Sequence, residues 1–189
     1  MEFEETEHHK KKRVIAEIRN MEIDDIAAVF HLGERLFTAR EAPNLYRTWD
    51  EYEVINFFQS DSDFCLVAEV DEQIVGFALG TTVTKSHSAW KYGYLVWLGI
   101  DPNVRGYGIA SRLFHRFRDL MLEDGVRILL VDSEADNLPA LHFFRKMGFG
   151  SPQEHIYLSL NLDPQLRQYR EKKTNGSRSM SRYKVEEDD

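Results

Sequence analysis

The apolar positions of VIAEIR, residues 14–19, alternate with polar ones as the inward face of a β-strand does. From Ile23 the spacing lengthens. Ile23, Ile26, Ala27, Phe30, Leu36 and Phe37 recur at helical intervals, with Asp24 and Asp25 in the first turn, where acids favour the helix dipole. A first helix is therefore predicted over 24–37. A second is predicted over 48–59, TWDEYEVINFFQ, where Thr48 and Glu51 have the spacing of a capping box. Three strand-like runs follow, FCLVAEV at 64–70, QIVGFALGTTV at 73–83 and YGYLVWLGI at 92–100. Only Asp71 and Glu72 separate the first two, which predicts an antiparallel hairpin with a two-residue turn.

After the third run, DPNV leads to a helix predicted over 105–123, with Ile109, Leu113, Phe117, Leu120 and Met121 as its buried stripe and Gly125 at its C-terminal end. RILLVDS, 127–133, is a continuous apolar run, as expected of a strand covered on both faces. A further helix over 138–147 closes at Gly148, and HIYLSLNL, 155–162, alternates as a final strand. The order βααβββαβαβ, without internal repeat, predicts a layered α/β (α+β) sandwich around a mixed, twisted sheet.

A chain of 189 residues, 42% hydrophobic, suits one domain with a proper core. Residues 1–13 and 163–189 lack hydrophobic periodicity and read as a flexible arm and a polar, disordered tail, either of which could bind a partner; the folded domain is expected over 14–162. The net charge of -8 belongs to that middle: the arm carries four acids and four bases, the tail six acids and seven bases, which leaves -8 - 0 - 1 = -9. This balance argues against a nucleic-acid partner and favours a cationic substrate such as an amine. One cysteine, Cys65, allows neither a disulfide framework nor a multi-thiolate metal site. The start MEFEETEHHKKKR has no apolar core of a signal peptide, and no uncharged apolar run approaches the roughly 20 residues that span a bilayer. A cytoplasmic protein without membrane or metal association is the expectation.

The densest chemistry lies in VRGYGIAS, 104–111. Gly106 and Gly108 stand between a strand and the mouth of a helix, with Arg105 as a fixed cation beside them. A first helical turn has free N–H groups and about half a positive charge, and glycines let a bulky anion approach the backbone. The same pattern also serves as a plain tight turn into a helix. A triphosphate-binding loop would need Gly-Lys-Ser or Gly-Lys-Thr where this chain has Ile109, Ala110 and Ser111. A dinucleotide fold would need its glycines in a βαβ unit, with an acid about 20 residues on. Here a hairpin comes first, and the following strand has no acid before Asp132.

LGIDPNVRGYGIASRLF, 98–114, and NLPALHFFRKMGF, 137–149, together resemble the two signature segments of the GNAT superfamily of acyl-CoA-dependent N-acyltransferases, in the family's order. The resemblance covers about 14–162 and implies a mostly antiparallel sheet of about six to seven strands flanked by about four helices. It implies acetyl-CoA as co-substrate, its pyrophosphate on the backbone of Arg105, Gly106, Tyr107, Gly108, Ile109, Ala110 and Ser111. The pantetheine arm would lie along Leu98, Gly99 and Ile100 as an added strand, where 92–100 and 127–133 splay apart. Asn137 would hold its end, and Phe143 and Phe144 would wall it; Asn137 equally suits a plain helix cap.

The implied reaction is transfer of an acetyl group to a primary amine, a protein lysine, a protein N-terminus or a small amine, within a ternary complex. It needs a neutral amine, and a free lysine has a pKa near 10.4. Where related phosphate loops are preceded by a mid-strand glutamate base, this chain has Tyr94. Tyr94, Asp132 and Glu134, on the strands facing the splay, are the candidate bases; Glu134, at the tip of the next strand, is the first choice, although an acid there also reads as an exposed loop residue. Many members carry a proton-donating tyrosine where this chain has Phe144, which donates nothing. Tyr94, Tyr157 and Ser133 remain as donors, or the thiolate, with a pKa near 8.5, leaves unaided. These two departures keep a non-catalytic acyl-CoA-sensing module as the alternative. Helices one and two and the segment between them, with Glu41, Tyr46 and Trp49, would wall the acceptor cleft. The assembly is expected to be a monomer or a homodimer. His142 reads as solvent-facing, Trp97 as core, and Cys65 as a small buried hydrophobe.

Overall fold

The computed structural model describes residues 15–37, 49–84, 90–153 and 162. Its elements are β1 Glu17–Asn20, α1 Ile26–Leu36, α2 Glu51–Ser60, β2 Cys65–Val70, β3 Gln73–Thr84, β4 Lys91–Ile100, α3 Ile109–Glu123, β5 Ile128–Leu130 and α4 Leu138–Lys146. All lie in one compact unit that ends at Phe149; residues 150–189 form a second, of which 150–153 and 162 are described. The strand expected over 155–162 falls almost wholly outside the described residues, as does the boundary with the polar tail.

Five described strands form one sheet in the order β1-β2-β3-β4-β5, antiparallel throughout except for the parallel pair β4 and β5. Asp71 and Glu72 close the β2–β3 hairpin with φ of 49° and 62°, the left-handed pair that a two-residue turn needs to match strand twist. Each strand sends alternate residues to opposite faces. On one face Val67, Phe77, Leu79 and Trp97 pack with Val29, Leu32 and Leu36 of α1 and Val54 of α2. On the other, Leu66, Ala68, Ala78 and Leu95 pack with Leu113, Phe117 and Met121 of α3 and Phe144 of α4. The result is a three-layer sandwich, helices covering both faces.

Several boundaries differ from the sequence reading. Asp50, not Thr48, caps α2, its side chain accepting from the Glu53 amide at 2.9 Å; Thr48 itself lies outside the described residues. Asp50 and Glu53 have the same three-residue spacing that suggested Thr48 and Glu51, so the signal was present two residues further on. α3 starts at Ile109, because Gly106 and Gly108 hold φ of 84° and 79° and cannot continue a right-handed helix. β5 is three residues long. Trp49 is buried, its indole N–H donating to the Phe30 carbonyl at 3.0 Å, while Glu41 and Tyr46 lie outside the described residues. Burial, with Asp61 and Asp63 nearby, pushes the Cys65 thiol up to about 12, which leaves it protonated and unsuited to nucleophilic work.

Candidate functional site at the parting of two strands

β4 pairs with β5 through Tyr92–Ile128, Gly93–Leu129 and Tyr94–Leu130, and there the pairing stops. β4 continues to Ile100 alongside β3 alone among the described residues. At the point of parting β4 also bulges: Leu79 faces Trp97 and Gly80 faces Leu95, so Val96 is an extra residue on β4. The bulge reverses the alternation. Leu95 belongs to the α3 cluster, whereas Val96 and Trp97 both join the α1–α2 cluster. Leu98, Gly99 and Ile100 thus pair with β3 on one side and, among the described residues, with no strand on the other. No period in LVWL shows the bulge, since an unbroken apolar run hides a change of face.

The free edge runs directly into the glycine loop. The Asp101 amide donates to the Val75 carbonyl at 2.8 Å, and its carboxylate accepts from the Asn103 amide at 2.9 Å and pairs with Arg35 at 3.7 Å. These contacts fix the 3-10 turn Pro102–Val104. Arg105 is exposed, its Nε donating to the Ile100 carbonyl at 3.4 Å. The first amide beyond the loop to reach a backbone carbonyl is that of Arg112, on Gly108 at 3.1 Å. Among the described residues, the amides of Gly106, Gly108, Ile109, Ala110 and Ser111 meet no backbone carbonyl. A Cβ added at Gly106 or Gly108 would meet nothing within 4 Å, so these glycines answer to backbone conformation and leave the space above the loop open. Open space, unclaimed amides and a helix N-terminus fit a pyrophosphate. Ile109 anchors the turn by its buried side chain, Tyr107 packs half-buried against the same cluster, and Ala110 and Ser111 are half-buried in the first turn.

On the other lip, beyond β5, Glu134 is exposed and its carbonyl accepts from the Asn137 amide at 3.0 Å. The Asn137 side chain accepts from the Ala140 amide at 3.2 Å, so it caps α4. Phe143 is half-buried and Phe144 is buried, its ring 5.3 Å from that of Phe143 and 5.4 Å from that of Phe149. Phe144 therefore helps close the α3-side core. Tyr94 is half-buried at the last paired position, on the face opposite Gly93 and Leu95. Asp132 is exposed and Ser133 half-buried between Glu134 and β5; Tyr157 lies outside the described residues, and His142 is exposed. The structure thus joins the β4 edge to the α3 loop and sets Glu134 and Asn137 beyond β5. Sequence reasoning missed Glu53, which accepts from the Trp97 indole N–H at 3.0 Å across the α1–α2 face.

Among the described residues no three His, Cys, Asp or Glu side chains gather as a metal-ligand group, and no helix is long and apolar enough to cross a membrane.

Residues 29–149 match the model of the acetyltransferase (GNAT) family. An acetyltransferase of Pectobacterium atrosepticum is 30% identical over 135 residues, 70% of this chain and 86% of that protein. An aminoglycoside N-acetyltransferase solved with CoA superposes with a TM-score of 0.63 at 18% identity, covering 80% of this chain and 98% of that one. A chain of the NatC complex bound to Gag peptide and CoA gives 0.62 at 18% identity, covering 73% and 86%. The solved structures share the fold; the family match and the relative, together with the parted strands and the glycine loop, go further, and the chain belongs to the GNAT family of acetyltransferases.

Proposed function

We propose that this chain is an acetyl-CoA-dependent N-acetyltransferase that moves an acetyl group directly to a primary amine, both substrates bound together. The observation that carries the reading is the continuity of a β4 edge with amides at the start of α3, both without a backbone partner among the described residues. The edge offers strand-like pairing to a pantetheine arm through Leu98, Gly99 and Ile100, and the amides of Gly106 and Gly108 to Ser111 offer donors to a pyrophosphate beside Arg105. That related folds have been solved with CoA supports this.

Transfer forms a bond between the amine nitrogen and the thioester carbon and breaks the carbon–sulfur bond. The nitrogen's proton passes to a base or water, and the departing thiolate, with a free pKa near 8.5, leaves unaided or takes a proton from solvent or a nearby hydroxyl. Tyr94 stands at the parting and Glu134 beyond β5; we take Tyr94 as the hydroxyl beside the thioester and Glu134 as the first acid from which a water chain could strip the amine. The acceptor is a protein lysine, a protein N-terminus or a small amine, a range within which the aminoglycoside acetyltransferase and the peptide-bound NatC complex also fall. The single buried cysteine suits a cytoplasmic setting.

Thiol release from acetyl-CoA, measured over a panel of small amines and peptide N-termini, tests the reading. Release with one class supports it. CoA binding without release from any amine would favour the sensing module, for which the missing hydroxyl at Phe144 is the observation in hand.

A further inference from the structure

The α1–α2 face of the sheet, expected from the family resemblance to wall the acceptor, carries a carboxylate tied to β4. Trp97 lies on the stretch of β4 that has lost β5, directly after the bulge, and is 6% exposed. Its ring stands 4.7 Å from Phe37 and 5.1 Å from Trp49, so the indole has little freedom. Its N–H points out of this aromatic cluster to Glu53 Oε1 at 3.0 Å. Glu53 is half-buried in the first turn of α2, and among the described residues its second oxygen accepts from no donor. The helix that carries it, EYEVINFFQS after the capping Asp50, has two acids and no base. One oxygen is thus held by the Trp97 indole, the half-buried carboxylate is partly shielded from water, and the helix that carries it adds only negative charge.

We propose that Glu53 recognises a positive charge on the acceptor, carried on a group other than the nitrogen that is acetylated. This rests on the acetyltransferase reading and names the substrate class within it: an amine with a second cationic centre. Pairing with the reacting nitrogen itself would stabilise its protonated form and oppose attack, whereas pairing with a second charge orients the acceptor without that cost. Trp97 is a positioning residue that acts through Glu53.

The probes are 1,5-diaminopentane and pentylamine, which differ by one charge. Their affinities for the CoA-loaded full chain are read by calorimetry, and thiol release from acetyl-CoA is read in parallel. The diamine is expected to bind about five- to tenfold tighter, as one partly desolvated ion pair provides. Glu53→Gln, which keeps an oxygen for the indole N–H, should bring the ratio near one, and Trp97→Phe should lower it. Glu51→Gln, an equal charge change on the exposed side of the same turn, should leave the ratio intact. Equal affinities in the unaltered protein, a preference that survives Glu53→Gln, or equal losses in both glutamate variants would overturn the proposal. Turnover without charge preference would sink this inference and leave the enzyme reading standing. Charge-selective binding lost in Glu53→Gln, with no turnover of any amine, would do the reverse.

Discussion

Tyr94 of β4 faces Leu130 of β5, and that is the last pair the two strands make. Every feature of the candidate site is set out from this point: the bulge at Val96, the free edge to Ile100 and the glycine loop that follows on one strand, Glu134 and Asn137 beyond the other. The parallel pair is three residues long, whereas β4 itself runs from Lys91 to Ile100, so among the described residues the far half of β4 has β3 alone beside it.

The glycine loop should respond to conformation before bulk. Gly108 sits at φ 79° with nothing within 4 Å of an added Cβ. Gly108→Ala must then cost about 1 kcal/mol through left-handed strain alone, and Gly108→Asn less, because asparagine tolerates that region. Both place a side chain above the amides, so both should weaken CoA binding by about tenfold or more in calorimetry. Loss of affinity in the alanine variant only would mean that strain, not access to the amides, controls binding.

α1 is tied to the chain before α2 by a glycine. A Cβ at Gly33 would stand 2.0 Å from Cε2 of Trp49, whose indole donates to the Phe30 carbonyl. Gly33→Ala gains helix propensity of about 1 kcal/mol, but overpacking costs about 1–3 kcal/mol and the indole must move. We expect net destabilisation of up to about 2 kcal/mol, a fall of up to roughly 8 °C in Tm, with altered tryptophan fluorescence. A rise in Tm would contradict this packing.

These two sites show what the sequence held and what it hid. The hairpin turn at Asp71 and Glu72, the α3 stripe through Phe117 and the Gly106–Gly108 loop were legible because each rests on local spacing. The bulge at Val96, the burial of Trp49 and the bond from Trp97 to Glu53 were not, because each depends on residues far apart in the chain. Asn137 was legible both as a helix cap and as a pantetheine contact, and the structure shows the cap. Phe144 could be read as a missing hydroxyl, but only packing shows that its ring is committed to the core.

Arg19 of β1 gathers two carboxylates, Asp25 at 2.6 Å and Glu69 at 2.7 Å, and joins β1 and β2 to the turn before α1. The Arg19 guanidinium, with help from the Glu22 amide, holds the Asp25 carboxyl below its ordinary value. A depressed folded pKa means stability that is present above the unfolded value, near 3.9, and lost as pH falls through the folded one. Arg19→Ala should therefore cost about 1–3 kcal/mol in denaturant melts at pH 7 and progressively less below about pH 4. A cost that does not change with pH would assign the loss to packing of the arginine stem.

Tyr94 offers the last and most direct check on the chemistry. It is half-buried at the parting, where a thioester carried along the β4 edge would end. Its hydroxyl is the right kind of group to donate to a departing sulfur or to the thioester oxygen. Removing its hydroxyl should therefore lower kcat without changing the affinity for CoA, and should leave intact the rise in rate with pH that deprotonation of the amine produces. A fall of about tenfold in kcat for Tyr94→Phe is the expected size for one lost donor that acts alongside solvent. Glu134→Gln, measured in the same assay, should instead act on that rise, shifting it upward if the acid helps strip the amine. An unchanged kcat in Tyr94→Phe would leave the thiolate to depart unaided, and an unchanged pH profile in Glu134→Gln would return that acid to the solvent-exposed loop on which it stands.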